Sequence, residues 1–202
     1  MTRLQRVNVA LARFPTWPAY VAGTLPALWT IWLGATGGLG VEPINALENR
    51  LGLLALQFLI AGLAVTPLRR WTGLNLIRFR RALGLVAMGY LALHLTVWLA
   101  LDLRDWGLIR ADIVKRPYIT VGMLAFLLLL PLAVTSSNRA IRWLGPQRWR
   151  RLHRLVYLAV PLGGLHFVMQ SKGWQIEPLV YLATILGLLA LRFRSSRARV
   201  VP

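Results

Sequence analysis

Arginine punctuates this chain. Between its charged residues run six uncharged, mostly apolar stretches, at 14–41, 51–68, 82–101, 117–138, 155–171 and 178–191. A helix needs about 20 apolar residues, roughly 17–25, to cross the hydrocarbon core of a bilayer. The first five stretches are long enough. The sixth is extended by Trp174, Gln175 and Ile176, with Arg192 and Arg194 able to snorkel from its other end. The expected spans are about 15–38, 51–68, 82–101, 117–138, 154–171 and 174–193. The predicted fold is all-α: a polytopic membrane protein whose residues 1–202 form a single six-transmembrane-helix bundle. The basic start ahead of the first run could be read as a signal peptide, but the run is too long for an h-region and no small-residue cleavage site follows.

Composition agrees. The chain is 57% hydrophobic and 15% charged, too little polar surface for a soluble domain of its length. Without cysteine it has no disulfide, thiolate metal site or thiol chemistry, which says little about compartment. A net charge of +18 would suit nucleic acid if the basic residues formed one patch. They fall instead in short clusters between apolar runs, so the expected surroundings are a lipid bilayer and no nucleic acid.

The clusters also orient the chain. With the N-terminus in the cytoplasm, segments 1–13, 69–81, 139–154 and 192–199 lie inside and carry basic residues but no acidic one. Outside lie Arg50, Arg104, Arg110, Lys115, Arg116 and Lys172 against Glu42, Glu48, Asp102, Asp105, Asp112 and Glu177. All the net charge sits on one side, as the positive-inside rule requires. Both termini are expected in the cytoplasm, and the membrane is expected to be the bacterial cell inner membrane. Residues 139–152 read as a basic interfacial segment attracted to anionic lipid, and Trp106 as an interface anchor. Segments 41–50 and 102–116 are the outer candidates for docking a partner.

Ionisable groups inside spans are costly and mark function. No acidic residue lies within a span, and the chain has three histidines: His94, His153 and His166. His94 lies 13 residues past Arg81 and His166 lies 12 past Arg154, so both fall about 18–20 Å from the cytoplasmic edge of a roughly 30 Å core. Two imidazoles at one depth on parallel helices suit the axial positions of one haem b. Bis-His ligation leaves no open iron position, so such a haem carries electrons. Gly163 and Gly164 beside His166, and Gly84 and Gly89 below His94, are expected to leave room for a flat ring. The plainer reading is that the two histidines hydrogen-bond across helices. A proton-relay transporter would need further polar or acidic groups at the midplane and discontinuous helices. No catalytic residue is assigned. His153 sits at the cytoplasmic edge, while Arg80 occupies the matching position on the third span, so a second haem lacks a ligand from this chain. His153 reads either as part of a cytoplasmic-side site, contacting a quinone, a flavin or a haem propionate, or as an exposed interfacial histidine.

Local motifs carry a family resemblance from about Gly37 through the sixth span. They are Gly37-Gly38-Leu39-Gly40 with Pro43, Thr66-Pro67-Leu68, Arg80-Arg81-Ala82-Leu83-Gly84-Leu85, His94-Leu95, Arg116-Pro117-Tyr118-Ile119-Thr120-Val121-Gly122, Thr135-Ser136, Leu144-Gly145, Trp149, Leu152-His153 and Tyr157. In order and spacing the chain resembles the haem-binding membrane subunits of bacterial periplasmic protein-methionine-sulfoxide reductase systems, within the ferric-reductase-like transmembrane family. His153 and His166 match the family's fifth-helix pair and His94 the outer member of its third-helix pair, with Arg80 where the inner one would be. Relatives often have Thr-Gly ahead of span two; here Leu51-Gly52 stands there. The resemblance implies a b-type haem, FMN, electrons drawn from membrane quinol, and delivery to a periplasmic molybdopterin-containing methionine sulfoxide reductase subunit that repairs oxidised proteins. No Gly-rich dinucleotide loop is present, so the electrons are expected to come from quinol or a separate reductase. Another ferric reductase or cytochrome b561-like carrier is the alternative.

Overall fold

The computed structural model describes residues 1–103, 105–171 and 175–197, with Leu103 and residues 193–197 described by backbone alone. Arg104, Lys172, Trp174 and Arg199, used above in the charge count and in bounding the sixth span, lie outside the described residues. Ten α-helices, and no strand, occur among the described residues: α1 Arg3–Arg13, α2 Trp17–Ala35, α3 Pro43–Thr72, α4 Arg80–Val97, α5 Trp106–Lys115, α6 Pro117–Val134, α7 Asn138–Leu144, α8 Pro146–Leu152, α9 Val156–Gln170 and α10 Ile176–Arg197. Four helical segments are long and apolar enough to cross a membrane: Pro43–Thr72, Ile77–Asp102, Pro117–Val134 and Pro146–Gln170. In α2 the tryptophans 17, 29 and 32 and the prolines 18 and 26 dilute the hydropathy.

Helix boundaries follow local chemistry rather than charge. Pro43 and Pro117 open α3 and α6 at the first turn, where the missing N–H costs nothing and φ is already set. Segment 41–50 is therefore mostly helix, not loop, because Glu48 and Arg50 interrupt an apolar run without interrupting a helix. α3 stops at Gly73, whose φ of 74° is left-handed, a conformation cheap only for glycine. Asp105 caps α5 by accepting from the N–H groups of Gly107 and Leu108, so segment 102–116 is also largely helical. α4 ends in a π-helical turn over Trp98–Leu103. The basic segment 139–152 folds as two short helices joined at Gly145.

Four helices form a ring in the order α3, α4, α6, α9. The pairs α3–α4 and α6–α9 pack most extensively, and the seams between the pairs are sparser. α10 lies against α3 and α9, and α2 against α4 and α3. The main core gathers Leu56, Leu59 and Leu63 of α3, Ala87 of α4, Leu129 and Leu132 of α6, and Ile185 of α10. α1, which has no buried residue, is fastened to the α3–α4 connection. Its Asn8 amide donates to Gly73 O at 2.9 Å and accepts from Asn75 N at 2.9 Å.

The bundle has two chemically distinct ends. Glu42, Glu48, Asp102, Asp105, Asp112 and Glu177 lie toward one, and the arginine clusters toward the other. Exposed Trp17, Trp71 and Trp143 ring the arginine-rich end, and exposed Trp106 marks the acidic one. Arg192 departs from expectation. Rather than snorkelling outward it is 9% exposed, donating to Tyr157 Oη at 2.9 Å and to Thr66 Oγ1. Two hydroxyls on α3 and α9 draw the guanidinium inward.

Candidate functional site

Each of two histidines is held by a helix other than its own. His94, on the last full turn of α4, has Nδ1 at 2.9 Å from Glu48 O of α3. His166, just before the last turn of α9, has Nδ1 at 2.7 Å from Tyr118 O of α6. A carbonyl oxygen only accepts, so both Nδ1 atoms must carry the proton. Each neutral ring then keeps its lone pair on Nε2, the atom that ligates metals. Such a backbone bond fixes ring orientation and raises ligand basicity.

The two rings face each other across the ring of helices, with centroids 6.4 Å apart and planes at 80°. That separation matches a simple expectation. Two metal–imidazole bonds of roughly 2 Å each, plus roughly 1 Å from nitrogen to ring centre on either side, place the centroids about 6 Å apart. Both rings line one cavity of about 410 Å³, within the roughly 300–1,000 Å³ of cofactor sites. Its walls are largely apolar, including Leu56, Leu91, Phe126 and Phe167, while Asn45, Asn49 and Gln170 stand at the acidic end. Those amides form a chain: Asn49 donates to Asn45 and Gln170 donates to Asn49, both at 2.6 Å.

Among the described residues no group of three or more histidines and carboxylates could hold a metal ion by itself. Two imidazoles alone would leave an iron short of ligands, and a macrocycle would supply the rest; the donor chemistry and the cavity both fit a haem on that count.

The glycines that make room differ from those expected. Gly84 and Gly89 have open space beside them, and Gly164 packs against Leu182 and Ile185 of α10. Of the four, Gly163 lines the cavity. The close approaches belong to Gly52 of α3 and Gly122 of α6. A Cβ there would meet Nδ1 of His94 at 3.1 Å and of His166 at 2.7 Å. Both glycines lie in the sequence motifs quoted above, but only the helix register shows what they face.

His153 is placed apart, at the arginine-rich end on a 3-10 turn leading into α9. Its Nε2 lies 3.1 Å from Thr135 Oγ1. The Thr135 hydroxyl donates to Pro131 O at 2.6 Å, so His153 must be the donor and its Nε2 is committed. Trp149 stacks on the ring at 3.9 Å and donates to Thr135 O at 2.9 Å. Arg80 and Arg81 stand within electrostatic reach of it. The structure therefore brings His94 and His166 together and leaves His153 in a separate polar setting.

Residues 50–164 match the family model described as "Ferric reductase like transmembrane component". Proteins of Brucella ovis, Brucella canis and Brucella suis, each named "Protein-methionine-sulfoxide reductase heme-binding subunit MsrQ", are 50% identical to this chain over 177 residues, covering 87% of it and 80% of each relative. No solved structure matches.

Proposed function

The chain belongs to the ferric-reductase-like transmembrane family, among its protein-methionine-sulfoxide reductase haem-binding subunits, and on that premise we propose that it is a haem b electron-transfer subunit. It passes electrons from membrane quinol to a periplasmic molybdopterin-dependent methionine sulfoxide reductase, which carries out the repair chemistry itself. The observation that carries the reading is the pair of opposed imidazoles, 6.4 Å apart at their centroids, each with Nδ1 spent on a backbone carbonyl.

In this reading His94 and His166 would hold a haem through their Nε2 atoms, and the haem would supply one-electron transfer. The chain's own work is to seat two imidazoles on one cavity, hold both rings in a single tautomer, and keep the cavity walls largely apolar. His153, with Thr135 and Trp149, is assigned to an inner-side site for quinol or for FMN, the latter implied by family resemblance. The whole chain forms one domain of six spans, with α2, α3, α4, α6, α9 and α10 crossing the bacterial inner membrane. The arginine-rich end faces the cytoplasm, in keeping with the charge partition. The acidic end, near which the two histidines lie, then faces the periplasm and the partner reductase.

The test is a reduced-minus-oxidised optical spectrum of the purified protein beside His94→Ala and His166→Ala variants. A low-spin b-type signal in wild type, lost in both variants, is expected. Well-folded wild type without haem would refute the proposal.

A further inference from the structure

The two imidazoles are seated by one device used twice. In α3 the carbonyl that receives His94 belongs to Glu48, and the fourth residue on is Gly52. In α6 the carbonyl that receives His166 belongs to Tyr118, and the fourth residue on is Gly122. Helical Cα–Cβ bonds tilt toward the N-terminus, so a side chain at i+4 leans over the carbonyl of residue i. That carbonyl already accepts the helical N–H of residue i+4 and has one lone pair left. A glycine at i+4 uncovers it.

We propose that Gly52 and Gly122 are positioning residues for the two imidazoles: bare backbone at these two places lets each ring settle onto a helical carbonyl, which fixes its tautomer, aims Nε2 into the cavity and sets its electron-donating strength. The last of these rests on the haem reading; the first two do not. At both positions the three atoms nearest a built Cβ all belong to the histidine ring, at 3.1, 3.3 and 3.7 Å for Gly52 and 2.7, 2.9 and 3.1 Å for Gly122. The fit is selective. Gly62, also in α3, and Gly84, in the helix that carries His94, have nothing within 4 Å of their Cβ positions. An alanine at any of these helical sites brings the same gain in propensity, but only at Gly52 and Gly122 does it push on a histidine.

A displaced ring loses its carbonyl acceptor, donates less electron density and favours the oxidised metal less. The midpoint potential therefore rises. Redox titration of the purified full chain compares wild type with Gly52→Ala, Gly122→Ala, Gly62→Ala and Gly84→Ala. The expected order is a clear upward shift in Gly122→Ala, a smaller one in Gly52→Ala, where the clearance is greater, and no shift in the other two. A parallel 15N-histidine NMR measurement on the haem-free chain, in which no iron holds Nε2, reads the tautomers directly, and the Nδ1–H population of the displaced ring should fall in each affected variant. Wild-type potentials and wild-type tautomers in both Gly52→Ala and Gly122→Ala overturn the inference. Should Gly122→Ala not fold, Gly52→Ala alone decides it. Were wild type to hold no haem, the proposed function would fail while the tautomer measurement still decided this point.

Discussion

Replacing Gly23 by alanine would set a methyl carbon 2.9 Å from Val86 Cγ1 and 3.0 Å from Cγ2, where carbon pairs prefer about 3.5–4.0 Å. Gly23 is buried on α2, and Val86 is buried on α4 two helical turns before His94. Tyr90, one turn nearer His94, ties the same two helices by donating to Gly23 O at 2.8 Å. Overpacking of this kind costs about 1–3 kcal/mol, offset by about 1 kcal/mol for alanine over glycine within a helix. Lipid is as apolar as the side chains, so helix docking here rests on van der Waals contact. Val86→Ala then forfeits dispersion contacts, on the order of 1–2 kcal/mol for two methyl groups. In the double variant the new methyl of position 23 occupies the space the valine vacates. Its destabilisation should fall short of the sum of the single variants by about 1–2 kcal/mol, well beyond the roughly 0.3–0.5 kcal/mol scatter of independent sites. Reversible unfolding in mixed micelles, followed by helical circular dichroism, gives the three numbers. Additivity within that scatter would show that α2 does not dock on α4 as described.

His153→Ala should leave the b-type spectrum intact and slow reduction by quinol, because the residue sits apart from the paired imidazoles; loss of the haem signal would contradict this division of roles. The chain lacks cysteine, so single cysteines report topology cleanly. Substitutions at Val41 and Trp106 should label with an impermeant reagent from the periplasm, and those at Asn75 and Trp143 only after the cytoplasmic side is opened. The reverse pattern would invert the proposed orientation.

Apolar runs were readable as helices because burial in lipid is written into composition. Their ends were not. The charge-bounded stretch 51–68 belongs to a helix of 30 residues, since charged residues mark where a helix leaves hydrocarbon, not where its hydrogen bonds stop. α1 and α5 escaped because neither is apolar along its length; one is set by the capping box of Thr2 with Gln5 and the other by the Asp105 cap. For the candidate site, near-equal spacing of His94 and His166 from flanking arginines placed them at one level, and their ring centroids lie 6.4 Å apart. Their seating was illegible, because a histidine on α4 meeting a carbonyl on α3 depends on inter-helix register. Gly52 and Gly122 were therefore visible as letters and silent as to purpose. Arg192 was misread for a related reason: snorkelling is the default only where no hydroxyl pair offers an inward alternative.

The sparse seams between the α3–α4 and α6–α9 pairs bear on how such a molecule matures. Each pair is a hairpin that can close on its own contacts, and each carries one carbonyl-seated histidine. What crosses the divide is limited. α10 braces α3 and α9, with Arg192 as its rivet at one end and a Gln57–Tyr181 bond of 2.7 Å farther along. At the opposite end stands the Gln170–Asn49 bond of 2.6 Å. On the proposed reading, a haem ligated from both hairpins would act as a clasp and would couple its own insertion to final closure of the bundle. Supply of that cofactor would control how much closed protein accumulates.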